Sequence, residues 1–277
     1  MVFSPEEMQA YEKIKFLVSI GKHGVDEPVA IVLGGQPGAG KSGIYKIANE
    51  RFSGNIVELD CDEFRKYHPQ AKQFAQDAAT YAEKTNDFVF AVVDQLVEEL
   101  GEQKYNMIIE SSMKSPHTAF QNYDLLSPKG YAIEAQIMAT PKEVSWQGVV
   151  DRYNDQLANG ELARMVSQGF HDQVVAQFPE AADEIYRSGK MSNILIYNRD
   201  REVLYDMKQT PDISPKAILV ERVQGARETQ SHSSQQKKPF YFGKDRRAEL
   251  RASSAQAKQK QVEKKTMQRG KDTHELS

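Results

Sequence analysis

The sequence predicts an α/β fold: a mainly parallel sheet with helices on both faces and a phosphate-binding loop at its carboxyl edge. Three observations predict it. Five short apolar or alternating runs are separated mostly by segments of helical character, the pattern of parallel strands joined by crossover helices. The first run leads straight into Gly35-Gln36-Pro37-Gly38-Ala39-Gly40-Lys41-Ser42, which satisfies G-x-x-x-x-G-K-[ST]. A composition of 39% hydrophobic and 27% charged residues is that of a globular chain able to bury a sizeable core.

The strands are expected at Val29–Leu33, Ile56–Leu59, Met107–Ile109, Ala132–Met138 and Ile194–Tyr197. Gly43–Arg51 reads as the helix behind the loop, so the loop has the strand and helix its motif requires. Ala71–Leu100 carries apolar residues at near-helical intervals and reads as two helices broken around Thr85–Asn86. Thr140 can cap a helix with Pro141 at its first position and Glu143 at the third, running to about Leu157, and a further helix is expected near Leu162–Arg187. Asn198–Arg201 looks like a hairpin turn, which would end the sheet in an antiparallel edge.

The loop chemistry is specific. Its glycines let backbone N–H groups turn toward phosphate oxygens, Lys41 can reach the terminal phosphates, and the Ser42 hydroxyl can ligate Mg2+ at a helix N-terminus that favours anions. A nucleoside triphosphate, ATP or GTP, is the ligand this implies. Ligands of open α/β sheets bind beyond the carboxyl ends of the strands. There, Glu58-Leu-Asp60-Cys-Asp62 follows the second strand, with alternation placing Asp60 and Asp62 on one side. Asp62 is the better proton acceptor by position, while a helix cap before Glu63-Phe-Arg-Lys is the competing structural role. Glu110 ends the third strand and reads as a metal-associated or substrate-contacting acid, or else as a plain polar strand end. Arg152 and Arg164, on the helices after the fourth strand, can bridge phosphate oxygens or simply face solvent.

The net charge of −3 is uneven: residues 227–277 hold thirteen Lys/Arg against six Asp/Glu, leaving −10 on the rest. The chain therefore divides into a globular domain, 1–225, and a basic C-terminal tail, 226–277. The tail is rich in Ser, Gln and Ala, is expected to be mostly disordered with one helix over Asp245–Lys265, and could contact nucleic acid. A charge run is more often a solvated face. The single cysteine, Cys61, excludes an internal disulfide, and the six histidines are scattered without metal-ligand spacing. No signal-peptide core and no run of eighteen apolar residues occurs, so neither export nor membrane insertion is expected and the cytoplasm fits best.

Taken together, GGQPGAGKS, NIVELDCDEFRKYHP, YNMIIESS, the DRY at 151–153, Arg164 and His171-Asp172 resemble the zeta toxin family. These are bacterial phosphate-loop kinases of toxin–antitoxin systems that phosphorylate UDP-N-acetylglucosamine. The resemblance runs from about Glu27 to Ser214, including NRDREVLYD, and implies a nucleotide-kinase-like fold, ATP and Mg2+ as cofactors, and a cognate antitoxin. It gives Lys41 and Ser42 the ATP–Mg2+ role, Asp62 that of general base, Glu110 and Ser112 contacts to substrate or metal, and Arg152 and Arg164 that of phosphate-stabilising arginines. Asp94 falls where an acidic sugar-contacting residue is expected. The chain departs from the family pattern in three places: Ser111-Ser112 replaces a usual Gly-Thr, Asp94 a usual Glu, and Lys114 a frequent arginine. All three lie on the acceptor side, which leaves related UDP-sugars open. The alternatives are another small-molecule or polynucleotide kinase of this class, and a nucleotide-gated binding module that works through its basic tail.

Overall fold

The computed structural model describes residues 3–225. In chain order the helices are α1 (Pro5–Ser19), α2 (Ser42–Arg51), α3 (Cys61–Phe64), α4 (Ala71–Phe74), α5 (Tyr81–Glu102), α6 (His117–Leu126), α7 (Lys142–Ala158), α8 (Gln168–Arg187) and α9 (Lys216–Leu219). The strands are β1 (Val29–Gly34), β2 (Val57–Leu59), β3 (Met107–Glu110), β4 (Ala132–Met138), β5 (Asn193–Tyr197) and β6 (Val203–Asp206). They form one sheet in the order β2-β3-β1-β4-β5-β6. Every pairing is parallel except β5 with β6, so the hairpin around Asn198–Arg201 closes an antiparallel edge as its turn residues predict.

β1 sits between β3 and β4, with the next strands in sequence, β2 and β3, to one side of it and β4, β5 and β6 to the other. This is the switch point at which a crevice opens above the strand ends. Residues along β1 alternate between two cores. Ala30 and Val32 join Phe88, Leu96 and Phe178 of α5 and α8, while Ile31 and Leu33 pack with Ile44 and Ala48 of α2. Both faces of the sheet are thus covered, and the continuous apolar run of β1 is the direct consequence. Among the described residues no helix is long and apolar enough to cross a membrane.

Three helical expectations need correction. The break in 71–100 falls at residues 75–80, not at Thr85–Asn86. Buried Thr85 stays within α5 because its hydroxyl bonds back to the Tyr81 carbonyl at 2.8 Å. Thr140 does not cap α7. Pro141 takes that position, and the Thr140 hydroxyl donates instead to the Ala39 carbonyl at 2.7 Å, tying the strand end to the phosphate loop. α8 begins at Gln168, capped by Ser167, so residues 159–167 form an irregular connection. Arg164 therefore lies in a loop rather than on a helix, whereas Arg152 is on α7 as expected. The helix proposed over Asp245–Lys265 lies outside the described residues.

Candidate active site

The loop from Gly35 to Ser42 emerges from the centre of the sheet and runs directly into α2. Gly38 has φ +75°, and a Cβ there would lie 2.0 Å from the Ser145 carbonyl oxygen, so only glycine lets the loop lie against α7. Among the described residues the backbone N–H groups of Gly38, Gly40, Lys41 and Ser42 bond to no protein acceptor. Four free donors beside a helix N-terminus form an anion cradle that suits phosphate. Lys41 Nζ is held 3.0 Å from the Gly35 carbonyl and 3.3 Å from Glu110 Oε1, at the mouth of that cradle. Ser42 is the first residue of α2 and is exposed.

The acids above β2 are arranged differently from the alternation expected of a strand. β2 stops at Leu59, and Asp60 is the N-cap of α3, accepting from the Asp62 N–H at 2.8 Å. The cap role weighed for Asp62 therefore belongs to Asp60, and the Asp62 carboxylate is free for other partners. It has three. Arg164 Nη2 contacts Oδ2 closely, Arg152 Nη1 lies 3.9 Å from the same oxygen, and Arg65 Nε donates to Oδ1 at 3.1 Å. Burial pushes the Asp62 carboxyl upward, but Arg164, Arg65 and Arg152 outweigh it and hold the group below the ordinary carboxylate range. Asp60 behaves in the opposite way: burial, Glu110 and Asp62 push it up to about 7. Burial likewise pushes the Cys61 thiol up to about 12, which removes it as a nucleophile near neutral pH.

Glu110 ends β3 beside Lys41 and accepts a 3.0 Å hydrogen bond from the Tyr45 hydroxyl of α2. It faces a cleft of about 1230 Å³ whose lining also includes Lys41, Asp62, Arg152, Arg164, Asp94 and Ser112. Burial raises the Asp94 carboxyl and His117, at the start of α6, lowers it. Lys114 is not on the cleft wall. Its ammonium lies over Phe170, 5.6 Å from the ring centroid, and Phe170 itself lines the cleft. One Arg152 nitrogen, Nη2, is buried with no hydrogen-bond partner among the described residues, a donor suited to a further anion.

Sequence reasoning missed Arg65. It is 5% exposed, and besides binding Asp62 it donates to the Ala82 carbonyl and the Thr85 hydroxyl of α5, each at 2.8 Å. Its position three residues after Asp62 was the available signal, since i and i+3 meet only once that stretch is helical. Tyr45 was missed for a similar reason, because its partner Glu110 is distant in sequence.

This fold and site define a phosphate-loop protein with a kinase-like architecture. The sequence profile described as Zeta toxin matches residues 19–210, and the chain belongs to the zeta toxin family. Toxin zeta of Streptococcus pyogenes is 32% identical over 204 residues, 72% of this chain and 70% of its own length. A solved structure from the PezAT chromosomal toxin–antitoxin system of Streptococcus pneumoniae matches with a TM-score of 0.73 and 30% identity, covering 83% of this chain and 91% of that one. A structure of AvrRxo1-ORF1 and -ORF2 with ATP, at TM-score 0.58 and 14% identity over 84% of this chain and 76% of its own, shares the fold alone.

Proposed function

We propose that the protein is an ATP-dependent kinase that transfers the γ-phosphoryl group to a sugar hydroxyl of UDP-N-acetylglucosamine or a related UDP-sugar. It acts in the cytoplasm as the toxin of a toxin–antitoxin pair. The observation that carries this reading is the shared cleft: the phosphate loop's lysine, Asp62 and two arginines face the same space as Asp94 and Ser112. About 1230 Å³ exceeds the roughly 300–1,000 Å³ typical of a small-ligand pocket, so a sugar nucleotide and the triphosphate end of a donor can share it. The name of the pneumococcal system supports an antitoxin partner, and the free N–H groups of the loop with Lys41 at their mouth support a nucleoside triphosphate donor.

The acceptor oxygen attacks the γ-phosphorus, the bond from that phosphorus to the β-bridging oxygen breaks, and ADP leaves with the electron pair. The hydroxyl proton passes to a carboxylate, assigned here to Asp62. Lys41, Arg152 and Arg164 stabilise the charge spread over the transferred group. In the protein alone both arginines rest on Asp62, so a γ-phosphoryl that takes them over also frees the base. Mg2+ would be held by Ser42 and Glu110, where it would supply positive charge against the phosphates. Both oxygens are accessible for this, since Ser42 is exposed and Glu110 lines the cleft.

The test is a transfer assay with Mg-ATP and a panel of UDP-sugars, followed by phosphate mapping on the product. Transfer to one of them, and not to oligonucleotides, is expected. Nucleotide binding without transfer to any acceptor would favour a nucleotide-gated binding module instead.

Residues 226–277 are assigned no part in this chemistry. Val223 is buried and the Gln224 amide donates to the Val175 carbonyl at 3.2 Å, so a cut after Gly225 leaves these contacts in place. The truncated protein is expected to melt cooperatively and retain transfer. Cooperative melting with loss of transfer would place the tail in the site.

A further inference from the structure

Behind the phosphate loop, away from the acids of the cleft, four polar side chains form a continuous line. The Gln36 amide nitrogen donates to the Thr140 carbonyl at 2.5 Å and to Ser145 Oγ at 3.1 Å. Ser145 Oγ lies 2.9 Å from His171 Nε2, and His171 Nδ1 lies 3.1 Å from the Asp172 carboxylate. Gln36, Ser145 and His171 are each 0% exposed; only Asp172 reaches solvent, where Lys142 pairs with it at 3.1 Å. Gln36 must present nitrogen to Thr140, and the carboxylate accepts from Nδ1–H. The Ser145 hydroxyl donates to the Lys142 carbonyl at 2.9 Å, and His171 Nε2 meets the same hydroxyl oxygen.

Serine, histidine and aspartate in this order are the residue types of an acyl-transfer triad. That reading fails here, because a fully buried Ser145 offers no approach to a substrate. Stability does not explain the line either, since apolar side chains of similar volume generally fill buried space at least as well as a polar network. What a hydrogen-bonded line adds is direction, and this one joins the phosphate loop, the helix that carries Arg152 and the helix that follows the Arg164 connection. Gln36 belongs to the loop, Ser145 to the first turn of α7, and His171 to the first turn of α8. Arg152 lies seven residues after Ser145, two turns along the same helix, and Arg164 lies seven residues before His171. The contact is close: a Cβ on Gly148 of α7 would sit 2.6 Å from the Gly38 carbonyl oxygen.

We propose that Gln36, Ser145, His171 and Asp172 form a positioning device for phosphoryl transfer, which sets the spacing between the phosphate loop and the two arginines. Ser145 and His171 act through these groups and touch neither donor nor acceptor. The inference rests on reading the cleft as that of an ATP-dependent kinase. The chain also carries its own reporter, because the single tryptophan, Trp146, lines the cleft and packs edge-on against His171 with ring centroids 5.4 Å apart.

The experiment compares full-length Ser145→Ala, His171→Leu and His171→Gln with the parent protein. Mg-ADP affinity is followed by Trp146 fluorescence, alongside steady-state transfer and thermal melting. Glutamine places an amide near the position of Nε2 and can still hydrogen-bond Ser145, whereas leucine fills the space and bonds nothing. Ser145→Ala and His171→Leu are expected to weaken Mg-ADP about tenfold and to lower kcat up to about 100-fold, the scale of a 1 Å misplacement, with the acceptor KM unchanged. His171→Gln is expected to recover both to within roughly threefold of the parent. Equal kinetic losses in the glutamine and leucine variants, or parental affinity and kcat in Ser145→Ala, would overturn the proposal. If the leucine variant fails to fold, the other two still decide. The Mg-ADP titration needs no acceptor, so a wrong sugar nucleotide would silence transfer in the parent while leaving that titration intact.

Discussion

Lys41→Ala is expected to abolish phosphoryl transfer and, with it, toxicity in cells. Lys41 is the cation of the loop itself, 12% exposed, with its ammonium between the Gly35 carbonyl and Glu110. Alanine removes the charge that meets the terminal phosphates and leaves the Glu110 carboxylate without its cation, so the loss falls on the transition state and on donor binding together. Removing such a charge clamp is worth on the order of several kcal/mol in transition-state terms. Lys41→Arg makes the instructive comparison: it keeps the charge, but its planar fork does not fit a position built for a compact ammonium, so only partial recovery is expected. Single-turnover transfer and ATP affinity measured on both variants check this. A near-parental rate for Lys41→Ala would mean that the donor site lies elsewhere.

What could be read from the sequence followed from signals that are local. The apolar run ahead of Gly35 marks a buried strand, and the loop motif carries its own strand and helix, so the anion cradle was legible from residues 29–51, whereas the strand order that makes β1 the switch point was not. Asp62 and Glu110 could be named because each falls at a strand end or just beyond one, and Arg152 and Arg164 because the DRY and the arginine that follows it match the zeta toxin pattern. Long-range partners were not legible. Thr140 has every local mark of a helix cap, yet its hydroxyl is claimed by Ala39, about a hundred residues away in sequence. The helical break was misplaced because Thr85, a weak helix former, is held in α5 by its own bond back to Tyr81 and by Arg65. Asp60 and Asp62 were taken for neighbours on one strand. β2 stops at Leu59 as expected, but the chain turns at once into α3 instead of running on extended, which turned the first into a cap and gave the second to the arginines. The line from Gln36 to Asp172 leaves no mark in any short window, since its members are adjacent only after α7 and α8 have packed on the loop.

Asp62→Asn is expected to leave ATP binding in place and to lower transfer by roughly 10²–10⁴-fold, the contribution of a positioned proton acceptor. The amide keeps the shape, so the variant separates charge and basicity from packing. Arg65, Arg152 and Arg164 then lose a shared carboxylate, which costs stability near neutral pH. The sign of that cost is fixed by the direction of the Asp62 shift. A carboxyl whose folded pKa is depressed contributes stability above its unfolded value and loses it as pH falls through the folded one. The melting difference between parent and Asp62→Asn should therefore be full at neutral pH and shrink in acid, below the ordinary carboxylate range. Asp60→Asn is the decisive companion, because burial and its acidic neighbours bring Asp60 to about 7, a value suited to a general base in its own right. The acid limb of kcat/KM reports the free enzyme's base, and the two candidates predict different limbs. If Asp62 accepts the proton, activity persists as pH falls through 7 and declines only below the ordinary carboxylate range, and Asp60→Asn costs less than Asp62→Asn. An acid limb near 7 that disappears in Asp60→Asn would transfer the role to Asp60 and leave Asp62 as the anchor that parks the arginines until a phosphate takes them.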